Sequence, residues 1–244
     1  VDRLGIGFEA VRAVNPAIIY CSTSGYGQSG PASKWAGHDV NYLAMGGYLA
    51  MSGRRADGAP ALPGATIADA AAGGMHAALA ILAALLRRAK TGAGAYLDVA
   101  VADGVLSLMS LAIEQHAATG AEMAPGGDLL TGRYACYDVY PTRDGKWIAV
   151  GAIEPAFWAN LCKALGCEAW IAHQNDDAVQ DAVRADLRAA FSTRDRDDWV
   201  AALAAADTCV APVYEVAEVL RDPHFAARGA FADGHVAPIL AGQR

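Results

Sequence analysis

The sequence predicts an α/β protein: a first part built like half of an open parallel sheet, followed by a smaller α+β part. Three observations carry this. Short β-branched runs alternate with long helical patterns before residue 120. A Gly/Pro-rich stretch at residues 123–132 then interrupts the chain. Beyond it, two alternating runs flank Arg143-Asp144-Gly145, a hairpin signal.

In order, Phe8–Val14 reads as a helix stopped by Asn15-Pro16, and residues 17–22 form a run of strand length. A Gly/Ser-rich loop covers 24–37. Residues 38–51 set Val40, Leu43, Ala44, Gly47 and Tyr48 at helical spacing. After a second loop at 54–64, residues 69–90 give the strongest helix signal. They open on an acid and close on Arg87, Arg88 and Lys90, both suited to the helix dipole. A strand at 96–100 and a helix at 101–119 complete the first part. The second part reads as strands at 134–140 and 146–151, then helices at Pro155–Leu165, 177–191 and 195–206. A strand at 208–213 and helical residues 216–228 follow. The domains expected are 1–122, 123–235, and 236–244 as the start of a return to the first. Two strands before residue 123 are few for a buried parallel sheet, so further strands are expected upstream of Val1.

A hydrophobic content of 54% against 18% charged residues excludes a disordered chain. The formal net charge of −7 argues against a nucleic-acid partner, which wants a basic face, but leaves room for a small anionic ligand. The five cysteines fit no zinc spacing, and Cys162 and Cys167 stand too far apart for a redox pair. Free thiols and no metal are expected. The longest apolar stretch, 77–86, is too short to cross a bilayer and ends at Arg87 and Arg88. The expectation is a soluble cytoplasmic protein with no membrane partner.

Gly25-Tyr26-Gly27-Gln28-Ser29-Gly30 fits the dinucleotide-binding spacing but fails its context, because Pro31 rather than a helix follows the third glycine. It reads as a loop near a strand end, where ligands of open α/β folds bind. His38 and Asp69 each stand where a loop becomes a helix. Small residues, Ala70 to Ala72 with Gly73 and Gly74, follow Asp69 and leave room for a bulky ligand. Asp69 reads either as a helix cap or as a catalytic carboxylate with free helix N–H groups beside it as an oxyanion site. From spacing alone the cap comes first, and His38 alone reads first as structural. Glu154 lies between a strand and a helix, the ordinary place for an N-terminal helix partner. Arg54 and Arg55 could meet phosphate, and Trp158 with Phe157 reads as core.

Taken together, several segments resemble the family III CoA-transferase (CaiB/BaiF) superfamily, in order over nearly the whole chain. They are Asn15-Pro16-Ala17-Ile18-Ile19-Tyr20, the loop through Gly30-Pro31, Ala36-Gly37-His38-Asp39-Val40-Asn41-Tyr42, and Ile67-Ala68-Asp69 with Gly73-Gly74. Later come Asp144-Gly145-Lys146-Trp147, Gly151-Ala152-Ile153-Glu154-Pro155, Val210-Ala211-Pro212-Val213 and Asp222-Pro223-His224-Phe225. The resemblance implies a Rossmann-like large domain, here partial, with a smaller one, in an interlocked homodimer whose active site is shared between subunits. It implies an acyl-CoA substrate and no cofactor beyond the CoA moiety. Gly37, Asp39, Val40, Asn41 and Tyr42 would line the acyl-CoA site.

Two reaction types compete within that superfamily. In the transferases the acid at the Asp69 position is a nucleophile that forms an aspartyl-CoA thioester. In the α-methylacyl-CoA racemases it works with a histidine at the His38 position, and a glutamate at the Glu154 position belongs to the site. The segments around His38 and Glu154 resemble the racemase form. Racemising a carbon beside a thioester removes a proton from one face and returns one to the other, so two acid/base groups must flank it. Histidine titrates near neutrality and suits one of these roles. Glu154 would orient and charge-stabilise His38. A third reading is a shortened, non-catalytic chain that only associates with partners. Acyl selectivity is expected around 45–51 and in the 123–132 loop.

Overall fold

In the computed structural model, which describes residues 1–232 and 235–236, α1 spans Phe8–Val14. It ends at Asn15 because Pro16 disfavours the helical conformation in the residue before it. The chain divides into two compact units, Val1–Asp128 and Leu129–Arg244, so the division falls inside the 123–132 loop.

In the first unit β1 (Ile19–Ser24) pairs in parallel with β2 (Ala95–Ala100), in a register running from Ile19 opposite Ala95 to Ser24 opposite Ala100. The helical pattern at 38–51 forms two pieces, α2 (Asp39–Met45) and α3 (Tyr48–Met51). The break is at Gly46-Gly47, where Gly47 takes φ 87°, a conformation only glycine adopts freely.

The strong helix of 69–90 also differs from its expectation. Ala68–Met75 is a π-helix, and only His76–Thr91 (α4) is α-helical. α4 closes on Gly92, whose N–H donates to the Arg88 carbonyl at 2.8 Å. Joined, Ala68–Thr91 makes 24 predominantly apolar helical residues. That is long and apolar enough to cross a bilayer, unlike the ten-residue run visible in sequence, although only 17% of its apolar stretch is buried. α5 (Val101–Leu108) and α6 (Ser110–Thr119) follow β2. Tyr42, Leu43, Ala68, Ala72, Val101, Val105 and Met109 form this unit's core. The approach of α5 to the π-helix is backbone to backbone, since a Cβ at Gly104 would overlap Ala72.

The second unit holds β3 (Tyr137–Pro141), β4 (Trp147–Gly151) and β5 (Val210–Pro212), antiparallel in that order. The hairpin turn forms as expected, with Gly145 at φ 74° and Thr142 Oγ1 donating to Asp144 at 2.6 Å. α7 (Pro155–Leu165), α8 (Gln180–Phe191) and α9 (Arg196–Leu203) cover the sheet and build a core around Tyr140, Ile148, Trp158, Leu187, Phe191 and Trp199. Trp158 is core, as its sequence context suggests, and its indole N–H donates to the Trp170 carbonyl.

Past β5 the helical pattern breaks into α10 (Val216–Val219) and α11 (Pro223–Ala227), because Pro223 starts a new helix capped by Asp222. β6 (Phe231–Ala232) pairs antiparallel with β7 (His235–Val236). The expected return of 236–244 to the first domain lies, from residue 237 on, outside the described residues.

One buried cation organises this region. Arg196, 2% exposed, donates to both Glu218 oxygens at 2.7 and 2.9 Å and to the Val213 carbonyl at 2.9 Å. That hydrogen bond, with further bonds from the Glu215 N–H and Lys146, holds the Glu218 carboxyl far below its ordinary range.

Candidate functional site

The site is built at the C-terminal end of β1. The chain leaves Ser24, loops through the glycine-rich segment and re-enters the core at α2 with His38 as its N-cap. The loop is tied back to β2, where Asp98 accepts the Gln28 N–H at 2.9 Å, and to β1, where Ser22 accepts from the Gln28 side chain.

Tyr42, buried on α2, fixes the end of the loop. Its hydroxyl donates to the Gly37 carbonyl at 2.6 Å, and its ring meets Tyr26 edge-on with centroids 5.1 Å apart. Gly37 has no room for a side chain, because a Cβ would stand 2.8 Å from both Tyr26 and Tyr42. Burial pushes the Tyr42 phenol above its ordinary value, with Tyr26 and the Asp69 carboxylate adding to the effect.

His38 follows directly. Its backbone N–H is accepted by Asn41 Oδ1 at 3.0 Å, one half of a capping box at the start of α2, and the residue is exposed. The next residue reaches the second candidate: Asp39 Oδ1 accepts the backbone N–H of Asp69 at 2.9 Å. His38 and Asp69 are therefore linked by one peptide unit and one hydrogen bond across 30 residues of chain.

Asp69 lies on the first turn of the π-helix, exposed. Its carboxylate does not cap the helix, and among the described residues no hydrogen bond holds it. Two of the N–H groups expected to be free at this helix start are taken. The Asp69 N–H is taken by Asp39 and the Ala70 N–H by the Thr66 carbonyl at 3.0 Å. A cavity of about 360 Å³ opens beside this junction, lined by His38, Asp39, Val40, Leu43 and the 62–66 segment that leads into the π-helix.

Of the six consecutive residues from Gly37 to Tyr42, His38, Asp39 and Val40 border the cavity. Gly37, Asn41 and Tyr42 hold the loop and the cap instead. Leu62, 58% exposed, and Pro63 form the facing wall. Loop composition hid this wall from sequence reading, and only its two apolar residues among Gly and Ala hinted at it.

Glu154 belongs to the second unit, where it is the exposed N-cap position of α7 and makes no side-chain cap bond. Arg54 serves the fold, its guanidinium donating to the Ala50 and Ser52 carbonyls behind α3, and Arg55 pairs with Asp57 at 2.9 Å. Among the described residues no group of three potential metal ligands converges.

The model for CoA-transferase family III matches residues 1–238. The α-methylacyl-CoA racemase of Homo sapiens is 34% identical over 232 residues, 95% of this chain and 60% of that protein. The acetyl-CoA:oxalate CoA-transferase of Acetobacter aceti is 32% identical over 234 residues, 93% of this chain and 59% of that protein. A CaiB/BaiF family protein from Brucella suis has a solved structure that superposes with a TM-score of 0.78 at 29% identity, over 94% of this chain and 61% of that one. The chain thus spans about 60% of the length of these relatives. The segments that build the His38–Asp69 junction lie within the matched region, and with that junction in its fold context the chain belongs to CoA-transferase family III, with the CaiB/BaiF fold.

Proposed function

We propose that this chain carries the proton-transfer pair of an enzyme that racemises the α-carbon of a 2-methylacyl-CoA thioester. The observation that carries the reading is the Asp39–Asp69 hydrogen bond. It ties the backbone of Asp69 to the residue beside His38, and His38 and Asp39 line an apolar cavity there. The likeness to α-methylacyl-CoA racemases from Homo sapiens and Mus musculus, at 34% and 35% identity, supports it.

In this reading neutral His38 takes the α-proton from one face, and the electron pair moves onto the thioester oxygen as an enolate. Protonated Asp69 returns a proton to the opposite face. For the other epimer the roles reverse, and no electrons leave or enter the substrate. Val40, Leu43 and Leu62 receive apolar parts of the thioester. The working form is a cytoplasmic homodimer, with His38 and Asp69 from one copy and Glu154 from the other orienting the imidazole. It needs no cofactor beyond the CoA of its substrate.

A second reading is favoured by the transferase relatives and by an Asp69 carboxylate that no hydrogen bond holds among the described residues. Here Asp69 attacks the thioester carbonyl and CoA thiolate leaves. The thiolate then attacks the mixed anhydride at the aspartyl carbonyl, giving aspartyl-CoA and a free acid.

Incubation of the protein with a 2-methylacyl-CoA in heavy water, without an acid acceptor, separates the two. Deuterium entering the α-carbon with inversion, lost by about 100-fold or more in His38→Ala, is the expected outcome. CoA transfer to an added acid without exchange, and a hydroxylamine-trapped adduct on Asp69, would establish the transferase instead.

A further inference from the structure

We propose that Asp39 is a positioning residue, acting through its side chain on the backbone of Asp69 rather than on the ligand. The inference rests on the proton-transfer reading and deepens it.

Four observations converge. Asp39 is the first residue of α2, covalently next to His38, so whatever fixes Asp39 fixes the histidine's backbone. Its carboxylate accepts the Asp69 N–H at 2.9 Å, a charge-assisted bond to the donor that an ordinary helix start would leave to solvent. The segment it anchors is a π-helix, a wider turn than an α-helix and one that tertiary contacts must sustain. The same π-helix is also held by close backbone contact with α5 at Gly104 and Ala72.

The π-helix is therefore held at two contacts, and Asp39 is the one next to His38. Asn41 completes the arrangement by holding the His38 N–H from within the same helix. Moving a proton between two faces of one carbon sets the separation of the two acid/base groups narrowly, and small misplacements slow such steps steeply. A hydrogen bond that joins one group's backbone to the residue beside the other sets that separation directly. Because the bond needs an acceptor and not a charge, asparagine at position 39 preserves it, whereas alanine removes it.

The test compares wild type, Asp39→Asn and Asp39→Ala by α-proton exchange kinetics over a range of pH. Amide hydrogen exchange at Asp69 is followed in each protein. Asp39→Ala is expected to lower kcat by roughly 10- to 100-fold while KM changes little. Asp39→Asn is expected to recover most of kcat with an unshifted pH profile. The Asp69 amide is protected in wild type and Asp39→Asn, and exposed in Asp39→Ala.

An Asp39→Ala protein that loses substrate affinity at unchanged kcat overturns the proposal in favour of ligand contact. An Asp39→Asn protein as slow as alanine, with a displaced pH profile, overturns it in favour of a charge effect. Asp69 amides that exchange alike in all three proteins remove the anchor itself. If wild type catalyses no exchange while the amide follows the expected order, the racemase reading fails and the anchor stands.

Discussion

The Tyr42 hydroxyl donates to the carbonyl of Gly37, five residues earlier, at 2.6 Å, so α2 closes the loop that delivers His38. The bond is part-buried and short, and the ring that carries it lies against the glycine it holds. Tyr42→Phe keeps the ring and removes only the donor. It is expected to cost about 1 kcal/mol of stability, read as a lower urea midpoint at unchanged m.

The Arg196–Glu218 pair makes a prediction about acid. Glu218 has a folded pKa depressed from its ordinary 4.5, so the unfolded chain binds its proton first. Its contribution to stability is fully present above pH 4.5 and is lost as the pH falls toward the depressed folded value. Urea midpoints measured across that range should fall with acidification in wild type. In Glu218→Gln they should start lower and fall less.

The proposed sharing of the site between two copies predicts complementation. His38→Ala and Glu154→Gln proteins are each expected to be deficient in α-proton exchange. Mixed and allowed to exchange subunits, they should regain activity that neither has alone, because a heterodimer keeps one site with both residues intact. Mixtures that stay as slow as the separate variants would place the two residues in sites of the same copy, or Glu154 outside the site.

Local signals carried much of the fold. Pro16 after α1, Pro155 at the start of α7 and Gly166 at its end mark boundaries that the structure reproduces at Phe8–Val14 and Pro155–Leu165. The hairpin at Arg143-Asp144-Gly145 was likewise legible, since Gly145 supplies the positive φ the turn requires. The π-helix has a cause that lies outside its own sequence. The π-helix at Ala68–Met75 has the same alanine-rich texture as the α-helix after it, and what distinguishes the two is packing against α5 and the pull of Asp39. The latter is a contact across 30 residues that no local pattern records.

The site shows the same division. His38 and Asp69 were visible as residues at loop–helix junctions, but their connection through Asp39 was not. The cavity wall at Leu62 and Pro63 was concealed in a segment that reads only as loop. Two N–H groups of the Asp69 helix start are taken by Asp39 and Thr66, which only the folded backbone reveals.

The π-helix has one further consequence. A π turn accommodates more residues than the α turn it replaces, so the aim of the Asp69 carboxylate about the helix axis depends on residue count. Deleting a single residue between Ala70 and Gly74 would let the segment relax into continuity with α4. The tighter α winding would take up only part of the lost residue's rotation, so the residues before the deletion would turn relative to α4 and the Asp39 bond to the Asp69 N–H would have to shift or break. The placement of Asp69 relative to His38 would then change with every side chain of the junction still present.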